Sequence, residues 1–348
     1  MSTVDYRIMN YPESVIIHAS KIKVKVTVND CGAMNVDPSQ ETPSKKVLLS
    51  VVVPSLSYDN CVGLIENIKS LGPEIVFIVR EKNQFAKLHE IYDNVKILET
   101  KSRNFSYLRN FGGYFSSGEF VLFSGDDERL DDELLSSLIH LKTEYDVFYV
   151  TIEALFSQKP IRMWRKVNAR IIRRNYYHFI GMVHERFSFI PTNKYIIGGT
   201  MSNNSYEDWH HYWSKNMRIT LLEEKNLHKI LLRTYFPLID YIFNGGIKEG
   251  TKEIKVLIGS ILYAFLTCVR GYTPKAVQEV NYEEELERLE AFALNEANEE
   301  ESRYILYVIH NLKENRIPSG STFREELLQL TSSVNDILSS RNSTGKNL

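Results

Sequence analysis

The sequence predicts an α/β protein with a mostly parallel central sheet and a helical C-terminal region. Three observations lead there. Short apolar runs alternate with helical patterns from residue 47 onward, the order that parallel sheets with crossover helices produce. Phe120 to Phe123 is wholly apolar, as in a strand covered on both faces. Beyond residue 280 the pattern changes to helical spacing with acidic first turns.

The elements follow in order. Residues 1–46 form an N-terminal extension with a candidate hairpin: Val15 to Ile17 is apolar, Lys21 to Val28 alternates with period two, and Asn29-Asp30 and Gly32 supply turn chemistry. Met34 to Lys46 is polar and contains prolines, which reads as a linker. Val47 to Val53 is the first strand of the α/β unit, stopped by Pro54-Ser55. A helix over Asn60 to Leu71 closes at Gly72-Pro73. Glu74 to Val79 and Val95 to Leu98 are the next strands, and Val147 to Ile152 follows a helix over 133–143. The predicted units are 47–215 for the α/β domain, 216–315 for a helical region and 316–348 for a tail. The tail holds an amphipathic piece from Phe323 to Leu338 and then a polar end expected to be disordered.

The chemistry gathers after Phe123. Gly125 breaks the strand, and Asp126, Asp127 and Glu128 stand at its carboxyl end, where open α/β sheets bind ligands. Clustered carboxylates repel unless a cation joins them, and a hard divalent ion carrying a phosphate ligand is the usual one. A solvated loop before a helix is the competing account, since acids are common in first turns.

The order Ser102-Arg103-Asn104-Phe105 through Arg109-Asn110, then Gly118-Glu119, the apolar strand and the tip Gly125-Asp126-Asp127-Glu128-Arg129, resembles glycosyltransferase family 2 on the nucleotide-diphosphosugar (GT-A) fold. The resembling subgroup includes lipopolysaccharide-core sugar transferases and peptide S-glycosyltransferases. Its tip reads Asp-Ala-Asp-Glu-Arg, so Asp127, Glu128 and Arg129 match while Gly125 replaces the first acid. The resemblance implies metal binding through Asp127 and contact with the nucleotide by Asp126. It also implies that the first-strand tip, Pro54, Ser55 and Leu56, lies against the base. Acids usually end the second strand of this family; in Arg80-Glu81-Lys82 only Glu81 fits that role, and an ordinary turn fits equally well. Arg109 is a candidate for phosphate, which a guanidinium binds bidentately, or for a salt bridge to Glu119 or the tip.

Two later stretches continue the resemblance. Six basic residues fall within 162–174, and Arg162 and Arg165 match an Arg-x-x-Arg element near the donor; a solvent-facing strand with Val167, Ile171 and Ile172 interleaved is the plainer account. Gly181-Met182-Val183-His184-Glu185 matches a string on the acceptor side of the pocket. Inverting transfer needs a base for the acceptor proton and positive charge for the leaving diphosphate. Glu185 is the candidate base, and His184 a candidate metal ligand or orienting group. In His210-His211-Tyr212 the match falls on His211, which would complete a Mn²⁺ or Mg²⁺ site with Asp127.

Ile254 to Val269 is apolar over about sixteen residues, short of the ~20 that a bilayer requires, and contains Lys255. It reads either as a buried helix or as an in-plane amphipathic anchor. Glu-rich starts at Tyr282 and Glu299 predict two more helices. A net charge of −2 argues against a nucleic-acid partner. Cys31, Cys61 and Cys268 are far apart, which suits a reducing compartment rather than a disulfide scaffold. No basic-then-apolar leader pattern opens the chain. The expectation is an inverting, metal-dependent glycosyltransferase acting from a UDP- or GDP-sugar on a lipid-linked glycan or a protein, cytoplasmic or at the inner membrane face. The alternative is a noncatalytic nucleotide-sugar-binding or scaffold protein. A nucleotidyltransferase would need a Gly-rich basic loop where Pro54-Ser55-Leu56-Ser57-Tyr58 stands.

Overall fold

The computed structural model describes residues 48–161, 165–174, 176–180, 193–206, 208, 212, 214, 254, 257–262, 281–318 and 321–344, with the strands at 14–19, 22–28, 34–36 and 186–187 as backbone. Near the N-terminus, β1 (Ser14–Ala19) and β2 (Ile22–Val28) form the expected hairpin, and β3 (Met34–Val36) adds a third antiparallel strand where the linker was predicted to begin.

The main sheet contains β4 (Leu49–Pro54), β5 (Glu74–Val79), β6 (Val95–Glu99), β7 (Phe120–Phe123), β8 (Glu128–Leu130), β9 (Val147–Phe156), β10 (Lys159–Pro160), β11 (Lys166–Arg173) and β14 (Lys194–Tyr206). Its order is β6-β5-β4-β7-β11-β9-β14-β8, with β10 paired to β9. Neighbours from β6 to β7 are parallel, as are β9 and β14, while β11 and the short β8 run the other way. A separate pair joins β12 (Phe179–Ile180) to β13 (Arg186–Phe187). This mixed, mostly parallel α/β sheet with a helical C-terminal region is the predicted class and is consistent with a GT-A-like fold.

The sheet must curl. Four strand-to-strand steps separate β7 from β8, about 19 Å at ~4.8 Å each. The chain crosses from one to the other through residues 124–127, which turn back on themselves with the Glu128 N–H bonded to the Gly125 carbonyl at 3.3 Å. The five Cα–Cα steps from Phe123 to Glu128 reach at most ~18 Å even fully extended, and the turn makes the span shorter. The far edge therefore returns over the end of β7.

Strand alternation divides the core. Val51, Val53, Ile75, Phe77, Phe120 and Leu122 face one side, with α1 (Tyr58–Ile68), the short α2 (Lys82–Phe85) and α3 (Leu88–Ile91), and α5 (Asp132–Ile139). Val52, Val76, Ile78, Val121 and Phe123 face the other, beneath α4 (Phe105–Tyr114). The same second cluster includes α6 (Tyr282–Asn295), α7 (Glu299–Lys313) and α8 (Phe323–Thr344). Leu327, Leu330, Val334 and Ile337 recur at helical spacing on α8 and are buried, so the segment assigned to a tail is a packed helix running to Thr344. No described helix is long and apolar enough to cross a membrane.

At the amino ends of the strands, opposite the acidic tip, Glu74 is buried at the centre of a polar network. Its carboxylate accepts from Ser50 Oγ at 2.5 Å, Ser117 N at 2.7 Å and Lys96 Nζ at 3.0 Å. Burial alone would raise the Glu74 carboxyl; the Lys96 ammonium, then the Ser50 hydroxyl and the Ser117 N–H, outweigh it and hold it below its ordinary value. A depressed folded-state carboxyl contributes stability above the unfolded value and loses it as pH falls through the folded one. Glu74→Gln should cost about 1–3 kcal/mol at pH 7, less than a fully buried ion pair because Lys96 is half-exposed. In urea melts run from pH 7 down to 3, the gap between wild type and variant should narrow as the medium acidifies below the ordinary carboxylate value of 4.5.

Candidate functional site

The acidic tip is built by Glu128. Its side chain is 2% exposed. Oε2 accepts from Gly125 N at 2.8 Å and Ser124 Oγ at 3.2 Å, folding the tip into a closed turn. Oε1 accepts from Arg170 Nη2 at 2.7 Å and Asn203 Nδ2 at 3.3 Å, tying the turn to β11 and β14. Arg170 also donates to the Phe123 carbonyl at 3.2 Å. Arg129 completes the brace: Nη1 donates to the carbonyls of Asp126 at 2.8 Å and Glu128 at 2.7 Å, and Nη2 to that of Asn60 on α1 at 3.2 Å. Its guanidinium occupies the space that any side chain at Gly63 would need.

Asp126 leans onto the end of β4. Its Oδ2 accepts from Ser55 Oγ at 2.5 Å, Leu56 N at 3.2 Å and Ser57 N at 3.3 Å. Ser55 is buried, and the Cys61 thiol donates to its hydroxyl at 3.0 Å. Burial pushes that thiol up to about 12, so Cys61 stays protonated and supports the floor rather than acting as a nucleophile. Pro54 ends β4, while Leu56 is 72% exposed at the rim. The two tips expected to share a ligand are thus bonded to each other.

Asp127 stands between these committed acids. A Cβ on Gly125 would lie 2.7 Å from Asp127 Oδ1. The absence of a side chain at Gly125 therefore makes room for the Asp127 carboxylate. The backbone carbonyl of Asp127 accepts from Asn204 N at 3.1 Å. Among the described residues no three His, Cys, Asp or Glu side chains form a metal-binding group.

Arg109 lies on α4 with its guanidinium 5.3 Å from the centre of the Phe179 ring. Asn110 fastens the same residue: Nδ2 donates to the Phe179 carbonyl and Oδ1 accepts from Phe179 N, both at 2.9 Å. Phe179 in turn packs edge-on against Phe123 at 4.7 Å. Helix α4 thus anchors β12, the strand that leads into Gly181 to Glu185. His184, Glu185, Arg162 and His211 lie outside the described residues. Tyr212, next to His211, is buried 4.8 Å from Tyr206 at the end of β14. Arg165 is exposed. Glu81 is exposed and accepts locally from Gln84.

The basic stretch separates into roles the sequence did not distinguish. Arg173 pairs with Glu119 at 2.5 Å and Asp146 at 3.1 Å and covers the Phe120 ring, and Arg174 donates to the Ser116 carbonyl. Arg170 belongs to the tip. Asn67 on α1 was also missed: it donates to the Leu130 carbonyl at 2.9 Å and accepts from Leu130 N at 2.8 Å, closing the free edge of β8. An asparagine that completes a backbone pair across a fold leaves no local sequence signal.

Arg170→Leu should destabilise the protein by about 3–5 kcal/mol in equilibrium unfolding, because it strands a buried carboxylate. Removing an exposed ion pair by Lys313→Ala, which loses Glu290, should cost under ~1 kcal/mol.

No protein-family model and no curated protein matches the sequence. Solved structures of S. aureus TarS are similar. The crystal structure of TarS residues 1–349 gives a TM-score of 0.35 at 14% identity, covering 78% of this chain and 92% of that one. Its complex with UDP gives 0.36 at 12% identity over the same shares. Its complex with UDP-GlcNAc gives 0.33 at 12%, covering 77% and 92%.

Proposed function

We propose that the chain is an inverting, metal-dependent glycosyltransferase that moves a sugar from a nucleotide diphosphosugar to an acceptor hydroxyl. The observation that carries this reading is the bonded joint between Asp126 and the Ser55-Leu56-Ser57 end of β4. It brings an acidic turn and a first-strand tip to the carboxyl edge of a parallel sheet, the place where such sheets take ligands. The ordered motifs around it add support.

In this reading Pro54, Ser55 and the exposed Leu56 meet the base of a UDP- or GDP-sugar, with Asp126 holding their loop in shape. Asp127 binds Mn²⁺ or Mg²⁺ together with His211 or His184. The ion supplies positive charge to the departing diphosphate. Arg109 adds a guanidinium to the same task, with Arg162 and Arg165 as further cations toward the donor. Glu185 takes the acceptor proton. A lipid-linked glycan is favoured over a protein acceptor by one feature: Ile254, Ile258 and Leu262 recur four residues apart on helical backbone and are each more than 40% exposed. Such a stripe suits peripheral contact with a membrane surface.

A noncatalytic nucleotide-sugar binder is the second reading. It is favoured by the commitment of Asp126 to the β4 loop in a chain that lacks the family's first acid.

Donor hydrolysis separates the two. Purified protein with Mn²⁺ should slowly hydrolyse at least one UDP- or GDP-sugar, and Asp127→Asn should lower that rate by about 10²-fold or more. Thermal shifts with sugar nucleotides but no turnover of any of them would establish the binder. An undiminished rate in Asp127→Asn would remove Asp127 from the mechanism.

A further inference from the structure

At the carboxyl edge of β5 and β6 four basic residues fall together: Arg80, Lys82, Lys101 and Arg103. Strand register brings them there. Val79 lies opposite Glu99, and Thr100 N donates to the Val79 carbonyl at 3.0 Å, so the chain leaving β5 runs beside the chain leaving β6. The Lys101 ammonium donates to the Arg80 carbonyl. Both lysines are matched, Lys82 with Glu300 at 3.3 Å and Lys101 with Glu99 at 3.6 Å. The acids nearby are engaged as well. Glu99 also accepts from Lys82 N at 2.9 Å, Glu81 accepts from Gln84, and Asp336 on α8 accepts from Arg103 N at 3.0 Å. The two arginines differ. Their side chains are exposed, and neither guanidinium makes a hydrogen bond or an ion pair with another described residue. Partial desolvation, and after it the Arg103 charge, hold Arg80 below its ordinary value; Asp336 opposes them without offsetting them. Water and salt only screen such a repulsion, whereas an anion that bridges the pair removes it.

We infer that Arg80 and Arg103 bind a phosphate group of a ligand lying across the carboxyl ends of β5 and β6. A guanidinium presents a planar pair of N–H donors that meets two phosphate oxygens at once, and two guanidiniums can share one dianion. The carboxyl edge of a parallel sheet is also where such sheets take ligands. The site is offset from the acidic tip. That tip bonds to the end of β4, and β5 and β6 lie one and two strands further out, about 5 and 10 Å at ~4.8 Å a step. The site uses neither Asp127 nor Arg109 and needs no metal, so it stands whether or not the chain transfers sugars. Inorganic phosphate and a phosphate monoester present the same group to the two arginines, and both fit this chemistry.

Isothermal titration of the full chain, in phosphate-free buffer of low salt with EDTA, tests this with inorganic phosphate, glucose 6-phosphate and AMP, and with glucose as a neutral contrast. Saturable binding of at least one phosphate compound is expected, about tenfold or more weaker in Arg80→Gln and in Arg103→Gln, and weakening as salt is raised. Both side chains are exposed and unbonded to the described residues, so each variant should keep the wild-type melting curve. Equal or tighter binding of inorganic phosphate points to the free ion, and tighter binding of an ester to a phosphorylated small molecule; either supports the site. Wild-type protein that binds no phosphate compound overturns the inference. So does binding that survives in either variant, or equal binding of glucose. A loss in Asp127→Asn as large as in the arginine variants would place the phosphate at the acidic tip and overturn it too.

Discussion

The buried carboxylate of Glu128 is the constraint on which the candidate site depends. A charge at 2% exposure persists only if its attractions and hydrogen bonds outweigh the loss of water. Here four donors come from three places: the turn itself, β11 and β14. Satisfying one side chain therefore fixes the tip, sets the position of two strands beyond it, and helps hold the curl of the sheet. Arg129 repeats the device from the other side by joining the tip to α1. Glu128 and Arg129 in the tip string are thus structural braces.

Around that constraint the sheet works as a two-sided wall. Alternating residues on β4, β5 and β7 supply one core to α1 and α5 and another to α4 and the C-terminal helices. Helix α4 has a double role. Its apolar face packs on the wall through Tyr107 and Phe111, while Asn110 and Arg109 hold Phe179 at the start of β12. Burial and positioning come from one helix because its period places residues 107 and 111 on one stripe, with 110 beside that stripe and 109 on the far side of it.

Much of the fold was legible. Continuous apolar runs with Pro, Gly or acidic stops marked β4, β5, β6 and β7, since a strand buried on both faces leaves no polar position to obscure it. Helix α8 was only partly legible: Phe323 to Leu338 has the spacing, but the polar residues to Thr344 gave no reason to extend it. At the site, the pairing of tip and first-strand end was suggested by their order, and the bonds from Ser55, Leu56 and Ser57 to Asp126 give it a form. Arg170 was hidden among six basic residues because composition cannot say which of them meets a carboxylate 42 positions away.

By itself the sequence determined the strand and helix alternation, the acidic break after Phe123 and the chain order of the candidate motifs. These follow from local chemistry: side-chain period, turn residues and the clustering of charge. Tertiary structure alone decided which acids became braces and which asparagines became backbone clamps. Those outcomes depend on distances between residues far apart in the chain, and distance is what folding adds.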